Sequence, residues 1–122
     1  MAFRDAEALL RGVVAAAVTP VRVATKVPAS RPVEFVWVRR TGGPTLGRVV
    51  DQPQITITAW AASSVRALEL ADAARVAVQG AAKGTNGVHR AQINSLYFDP
   101  DPDSGVDRYT FTAFLNVRAT RS

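Results

Sequence analysis

Carboxylates at Asp99, Asp101 and Asp103 stand at alternate positions, the spacing at which a loop offers several hard oxygens to a calcium ion. The rest of such a loop is missing. Pro100 and Pro102 stiffen the intervening positions, Ser104 stands in the place of the sharp-turn glycine, and Thr110 in that of the closing bidentate glutamate. A solvated acidic turn is the better reading. Gly42-Gly43-Pro44 and Lys83-Gly84-Thr85 each hold parts of a phosphate cradle, which needs a glycine-rich strand-to-helix turn ending in Gly-Lys-Ser/Thr. The first joins two expected strands and the second follows an expected helix, so both read as ordinary turns.

His89 is the one histidine, and no Gly-x-Ser-x-Gly elbow exists to give it a serine partner. Ser63 and Ser64 read as helix caps and His89 as a structural residue near a strand start. The absence of cysteine removes disulfides, thiolate zinc sites, iron-sulfur clusters and cysteine nucleophiles together. The expectation is a protein without catalytic residues, metal or cofactor. Trp37, Trp60, Tyr97, Phe111 and Phe114 fall at strand positions, where aromatics can stack nucleic-acid bases. The basic-aromatic consensus of such platforms is absent, so they read as core or subunit contacts.

Fifteen basic against ten acidic residues give a net charge of +5 over 122 residues, an ordinary value for a dispersed small domain. Distribution says more than the total. Positions 99–107 hold four acids and no base, so fifteen cations against the six remaining acids leave the rest of the chain at +9. The basic residues are scattered rather than run together, and nearly all are arginine in an alanine-rich chain, the codon bias of a GC-rich genome. No apolar run approaches the ~20 residues of a membrane span, and the acidic start Met-Ala-Phe-Arg-Asp-Ala-Glu lacks the basic region of a secretory signal. The length suits one domain over residues 1–122, with no membrane partner.

The elements that must position these residues follow from periodicity. Ala6, Leu9, Leu10, Val13, Val14 and Ala17 share one face of a helix from about Asp5 to Ala17, closed by Pro20. Val21 to Val27 alternates as a half-buried strand, and Glu34 to Thr41 is apolar on both faces, as in a strand covered on both sides. A loop of turn formers runs from Gly42 to Pro53, and Gln54 to Trp60 alternates again. Ala67, Leu70, Ala71, Ala74, Ala77, Val78 and Ala81 mark a second helix whose small residues allow close approach to a sheet. Val88 to Phe98 and Arg108 to Arg118 form an antiparallel hairpin around the acidic loop. The expected fold is α+β, in the order αβββαββ, with about five strands in a mixed or antiparallel sheet and two helices on one face. The apolar Glu34–Thr41 strand, Val49-Val50 and the aromatic final strand exceed what two helices can cover, which predicts an oligomer.

Several segments in order carry a resemblance: Asp5-Ala6-Glu7-Ala8-Leu9-Leu10, Val21-Arg22-Val23-Ala24-Thr25-Lys26-Val27-Pro28, Val36-Trp37-Val38-Arg39-Arg40-Thr41-Gly42-Gly43, and Ile55-Thr56-Ile57-Thr58-Ala59-Trp60-Ala61. An alanine-rich helix follows, then Asp101-Pro102-Asp103-Ser104-Gly105 leading into Arg108-Tyr109-Thr110-Phe111-Thr112. Over nearly its whole length the chain resembles the tail terminator, or tail-completion, proteins of long-tailed double-stranded DNA phages, especially those of actinobacterial hosts. The resemblance implies a non-enzymatic virion protein at the head-tail junction, made in the host cytoplasm, without cofactor. It implies a homo-hexamer whose ring caps the tail tube, meets the tail tube protein and a head-completion or stopper protein, and passes genomic DNA without sequence-specific binding. Arg39, Arg40, Gly42, Gly43, Asp99, Asp101 and Asp103 are then the interface candidates, with the Gly42 to Gly47 loop at a subunit contact, a ring-to-ring contact or the DNA channel. A solvated strand end has nearly equal weight for the arginine pair. Another head-tail joining protein (stopper), a tail tube subunit, a small basic nucleic-acid-binding domain and a small ferredoxin-like enzyme stand as alternatives.

Overall fold

Asp5 starts the first helix, its carboxylate accepting the Ala8 N–H at 3.1 Å and so satisfying one of the free amides of the first turn. In the computed structural model, which describes residues 2–3, 5–43, 45–46, 50–81 and 88–120, this helix α1 spans Ala6–Val18. It buries Ala6, Leu10, Val14 and Val18, a single i, i+4 row. Ala17, expected inside, is exposed, and Leu9 and Val13 are half-buried, because the helix turns only a narrow stripe to the core. The second helix, α2 (Ser64–Ala81), opens with the Ser63 hydroxyl accepting from the Arg66 N–H at 3.2 Å. Its fully buried Ala67, Ala71 and Ala74 bring the helix axis close to the sheet.

The strands are β1 (Ala2–Phe3), β2 (Arg22–Ala24), β3 (Phe35–Gly42), β4 (Thr45–Leu46), β5 (Val50–Asp51), β6 (Gln54–Trp60), β7 (Val88–Ile93), β8 (Tyr97–Phe98) and β9 (Arg108–Thr120). They form one mixed sheet in the order β2-β3-β6-β9-β5-β4, with β1, β7 and β8 also paired to β9. The α+β class and the αβββαββ order of the major elements are as the sequence predicts. Three details differ. The strand expected over 21–27 contracts to β2 and runs parallel to β3, Arg22 facing Phe35 and Ala24 facing Trp37. The long strand expected over 88–98 breaks at Asn94, whose side-chain oxygen accepts the Thr112 N–H at 2.7 Å. The expected loop over 42–53 contains a short antiparallel pair, β4 with β5.

Both helices cover one side of the sheet, where Val36, Val38, Ile55, Ile57, Phe111, Ala113, Leu115 and Val117 join Leu10, Val14, Leu70 and Val78 in a single core. At roughly 1.5–3 kcal/mol for each large side chain removed from water, this layer supplies most of the driving force for folding. The opposite side of the sheet carries the other parity: Phe35, Trp37 and Arg39 on β3; Thr56, Thr58 and Trp60 on β6; Arg108, Thr110 and Thr112 on β9. No second layer covers it among the described residues. Phe35 is nonetheless buried, because Trp60 lies over it at 5.7 Å between ring centroids. The double cover predicted for the 34–41 strand thus comes from aromatic and arginine side chains of the sheet itself, and only over its first half. The part-apolar second face expected from counting helices carries Phe35, Trp37 and Trp60, with threonines at its centre.

Candidate functional site

Four threonines on that open face pair across strands. Thr56 and Thr112 hydroxyls are 3.1 Å apart and those of Thr58 and Thr110 3.0 Å, with Thr41 joining Thr56 at 2.9 Å. One of these pairs belongs to a longer chain whose direction is fixed by chemistry. Thr110 donates its only hydroxyl proton to the Asp99 carboxylate at 2.9 Å, so Thr58 must donate to Thr110, and Thr58 in turn accepts from the Arg39 guanidinium at 3.3 Å. A cation and an anion therefore sit at the two ends of one polarised row that crosses β3, β6 and β9.

Two tryptophans floor the cationic end. The Arg39 guanidinium lies 3.5 Å from the Trp37 ring centroid, and Arg31 and Arg108 lie 5.2 Å and 5.3 Å from that of Trp60. The rings are 6.0 Å apart, and Trp37 is anchored by its Nε1–H, which donates to the Thr25 carbonyl at 3.1 Å. Trp60 is buried and its Nε1–H meets no acceptor among the described residues. Arg108 is neutralised by Asp99, donating to its carbonyl and standing 3.4 Å from its carboxylate. Arg39 has no such partner: its described contacts are Thr58 and the Trp37 face. Burial, and then the nearby Arg108 charge, push its pKa below the usual arginine value, against the opposing pull of Asp99. Beside Arg31, an open depression of about 270 Å³ is lined by Val33, Ala61, Ala62, Gly105, Val106 and Asp107.

Arg40, grouped with Arg39 in the sequence, points to the other side. Its guanidinium grips the buried Asp51 carboxylate with two bonds of 2.8 Å and 3.0 Å and donates to the Gly42 and Gly43 carbonyls at 3.2 Å and 3.1 Å. The Asp51 hydrogen bond raises the Arg40 pKa. Gly43 adopts φ +103°, and a Cβ there would lie 2.0 Å from the Gln52 carbonyl oxygen. Arg40, Gly42 and Gly43 therefore clamp a turn within the subunit. Of the loop to Gly47, residues 44 and 47 lie outside the described residues.

The three alternate aspartates diverge. Asp99 joins the open face. Asp101 builds its own turn, accepting the Asp103 N–H at 3.1 Å and the Ser104 hydroxyl at 2.9 Å, while its carbonyl takes the Gly105 N–H at 2.7 Å. Those two bonds to the carboxylate, the Asp103 amide first, lower the Asp101 pKa. Asp103 stands exposed at the tip. No group of three His, Cys, Asp or Glu suited to a metal occurs among the described residues. Lys83-Gly84-Thr85 lies outside those residues; His89 belongs to β7, with its side chain outside them too. The site thus unites Arg39 and Asp99 of the candidates and adds Trp37, Trp60, Thr58, Thr110, Arg31 and Arg108. The signal for the additions was parity: Thr56, Thr58 and Trp60 alternate on one strand face, as do Arg108, Thr110 and Thr112. No family model matches the chain, and no curated protein matches it.

Proposed function

We propose that this chain is a structural subunit of a phage tail, forming a hexameric terminator ring at the head-proximal end of the tail tube. The observation that carries the reading is the sheet with both helices on one side and, on the other, an ordered helix-free face whose Thr56, Thr58 and Thr110 are buried and whose Trp37, Arg39 and Thr112 are half-exposed. Such a subunit has one insulated side and one side suited to meeting neighbours, as a closed head-to-tail ring requires. The αβββαββ order over which the sequence resembles tail terminators supports the same reading. The ring would meet the tube protein on one side and the head-completion or stopper protein on the other, leaving a lumen for DNA.

The reading is tested by reconstructing assembled tails from particles encoding the chain. A single hexameric ring at the head-proximal end is the expected result. Copies repeated along the tube would identify a tube subunit, and copies resident in the head connector a stopper; either result overturns the terminator assignment.

A further inference from the structure

We infer that Arg39, laid on Trp37, is the seat for a carboxylate of a second copy of this chain, and that the carboxylate is Asp103 at the tip of the neighbour's acidic turn. The inference rests on the ring reading above for its head-to-tail geometry, and on three observations of its own.

The first is the state of Arg39. An exposed arginine needs no partner, because water solvates it, and Arg11, Arg22 and Arg90 are of that kind. Arg39 is only half-exposed, stacked at 3.5 Å on an indole, and one of its nitrogens is spent on Thr58. Its plane and one edge are fixed while no carboxylate of the described residues lies within 4 Å. A guanidinium so held has lost side-chain freedom before binding and presents its remaining N–H groups in the geometry that suits a carboxylate.

The second is which carboxylates remain. Of the ten acids, Asp5 caps α1, Glu7 accepts the Arg40 N–H, and Asp51 holds Arg40. Glu34 and Glu69 hold Arg66, Asp72 holds Arg75, Asp99 takes Thr110 and Arg108, and Asp101 closes its own turn. Asp103 and Asp107 are left without a partner among the described residues. Asp107 is half-buried beside the Arg31 depression, whereas Asp103 is exposed on a turn that its neighbours' hydrogen bonds keep rigid. Two half-buried arginines on this face lack a carboxylate among the described residues; Arg31 spends its guanidinium on the Pro32 and Val33 carbonyls, which leaves Arg39 as the unmatched cation and Asp103 as the unmatched anion on an exposed turn. Two different patches of opposite charge make a heterologous contact, the kind that closes into a ring.

The third separates a protein carboxylate from nucleic acid. Arg39 already covers the Trp37 ring and Trp60 is buried, so neither tryptophan offers a base an open face; the exposed Tyr97 opposite Thr110 does, but the adjacent Asp99 carboxylate repels a run of phosphates. A single carboxylate on a short turn needs no open ring face and meets the Asp99 charge, itself paired with Arg108, once rather than along a run of phosphates.

The experiment uses the full-length purified chain, its association followed by light scattering and native mass spectrometry, with circular dichroism to verify folding. Asp103→Arg, on an exposed turn, leaves the fold intact and weakens association by about tenfold or more. Arg39→Asp does the same, and Arg39→Asp combined with Asp103→Arg restores association to near the native value. Because the chain has no cysteine, Arg39→Cys and Asp103→Cys subunits mixed under oxidising conditions give a specific cross-link between the two variants. A monomer at every attainable concentration, an Asp103→Arg variant that associates normally, or a double reversal that restores nothing would each overturn the contact. So would duplex binding that is lost with Arg39→Asp and strengthened with Asp103→Arg, which would assign Arg39 to nucleic acid. Retention of an acidic tail protein through Arg39 alone would assign it to that partner. Tail rings insensitive to both reversals overturn the contact and leave the tail assignment standing; a charge-reversible ring found nowhere on the tail does the converse.

Discussion

Thr58 sits between a guanidinium and a second hydroxyl, and its removal is felt in both directions. Thr58→Val keeps the shape but leaves Arg39 and Thr110 each short of one bond on a half-dry face. Its expected cost is about 1–3 kcal/mol in chemical denaturation, while Thr58→Ser keeps most of the native stability. Arg40→Ala exposes a different dependence. It takes from the Asp51 carboxylate, 2% exposed, its two charged bonds to Arg40. About 2–4 kcal/mol of stability should go, discounted from a fully buried pair because the Arg40 side chain is 36% exposed. Asp101 makes the acidic turn sensitive to pH. Its folded pKa lies below the ordinary 3.8, so its contribution is complete above about pH 4 and is lost as pH falls through the depressed value. Amide exchange at Asp103 and Gly105 should accelerate in that acid range, and Asp101→Asn should remove the transition. The divergence of Arg39 and Arg40 was legible in strand parity alone, since neighbours on a strand face opposite ways. What was not legible is their partners: Asp51 lies in a segment whose sequence reads as turn formers, and nothing in it announces a buried carboxylate.

Helix α2 illustrates how much an element's own pattern can carry. Its alanines at 67, 71 and 74 repeat at helical spacing, and the same spacing places them on the sheet. Ala71→Leu adds volume where none is free and should cost about 1–3 kcal/mol, read as a lower denaturation midpoint with an unchanged slope. Helices and long strands were readable because their periodicity is local. Pairing is not. The alternation of 21–27 says that one side is buried, yet nothing in it says that Phe35–Trp37 will lie alongside in parallel. The break after Ile93 was hidden for a related reason, because the Asn94 side chain supplies an acceptor to the Thr112 amide that a backbone carbonyl would otherwise give. The acidic segment read as a solvated turn is one, but the sequence could not show that Asp99 leaves it to end a hydroxyl row on the sheet.

At the scale of the whole molecule, β9 is the strand on which the rest depends. It pairs with β1, β5, β6, β7 and β8, and Thr112 at its middle faces Thr56 while its amide is held by Asn94. Thr112→Pro removes that donor and jams a central strand; no cooperative unfolding transition should survive in circular dichroism. The position of β9 along the chain adds a consequence for the way the protein is made. Each of its partners, including β1 with Ala2 opposite Thr120, precedes it in the order of synthesis. On the ribosome, α1, α2 and the β2-β3-β6 layer can gather first, with one long edge of β6 open, and the sheet cannot be completed until positions 108–120 have left the exit tunnel. Pairings this distant in sequence close slowly, so the nascent subunit passes through a stage with an unguarded β6 edge, when chaperones or neighbouring nascent chains can reach it.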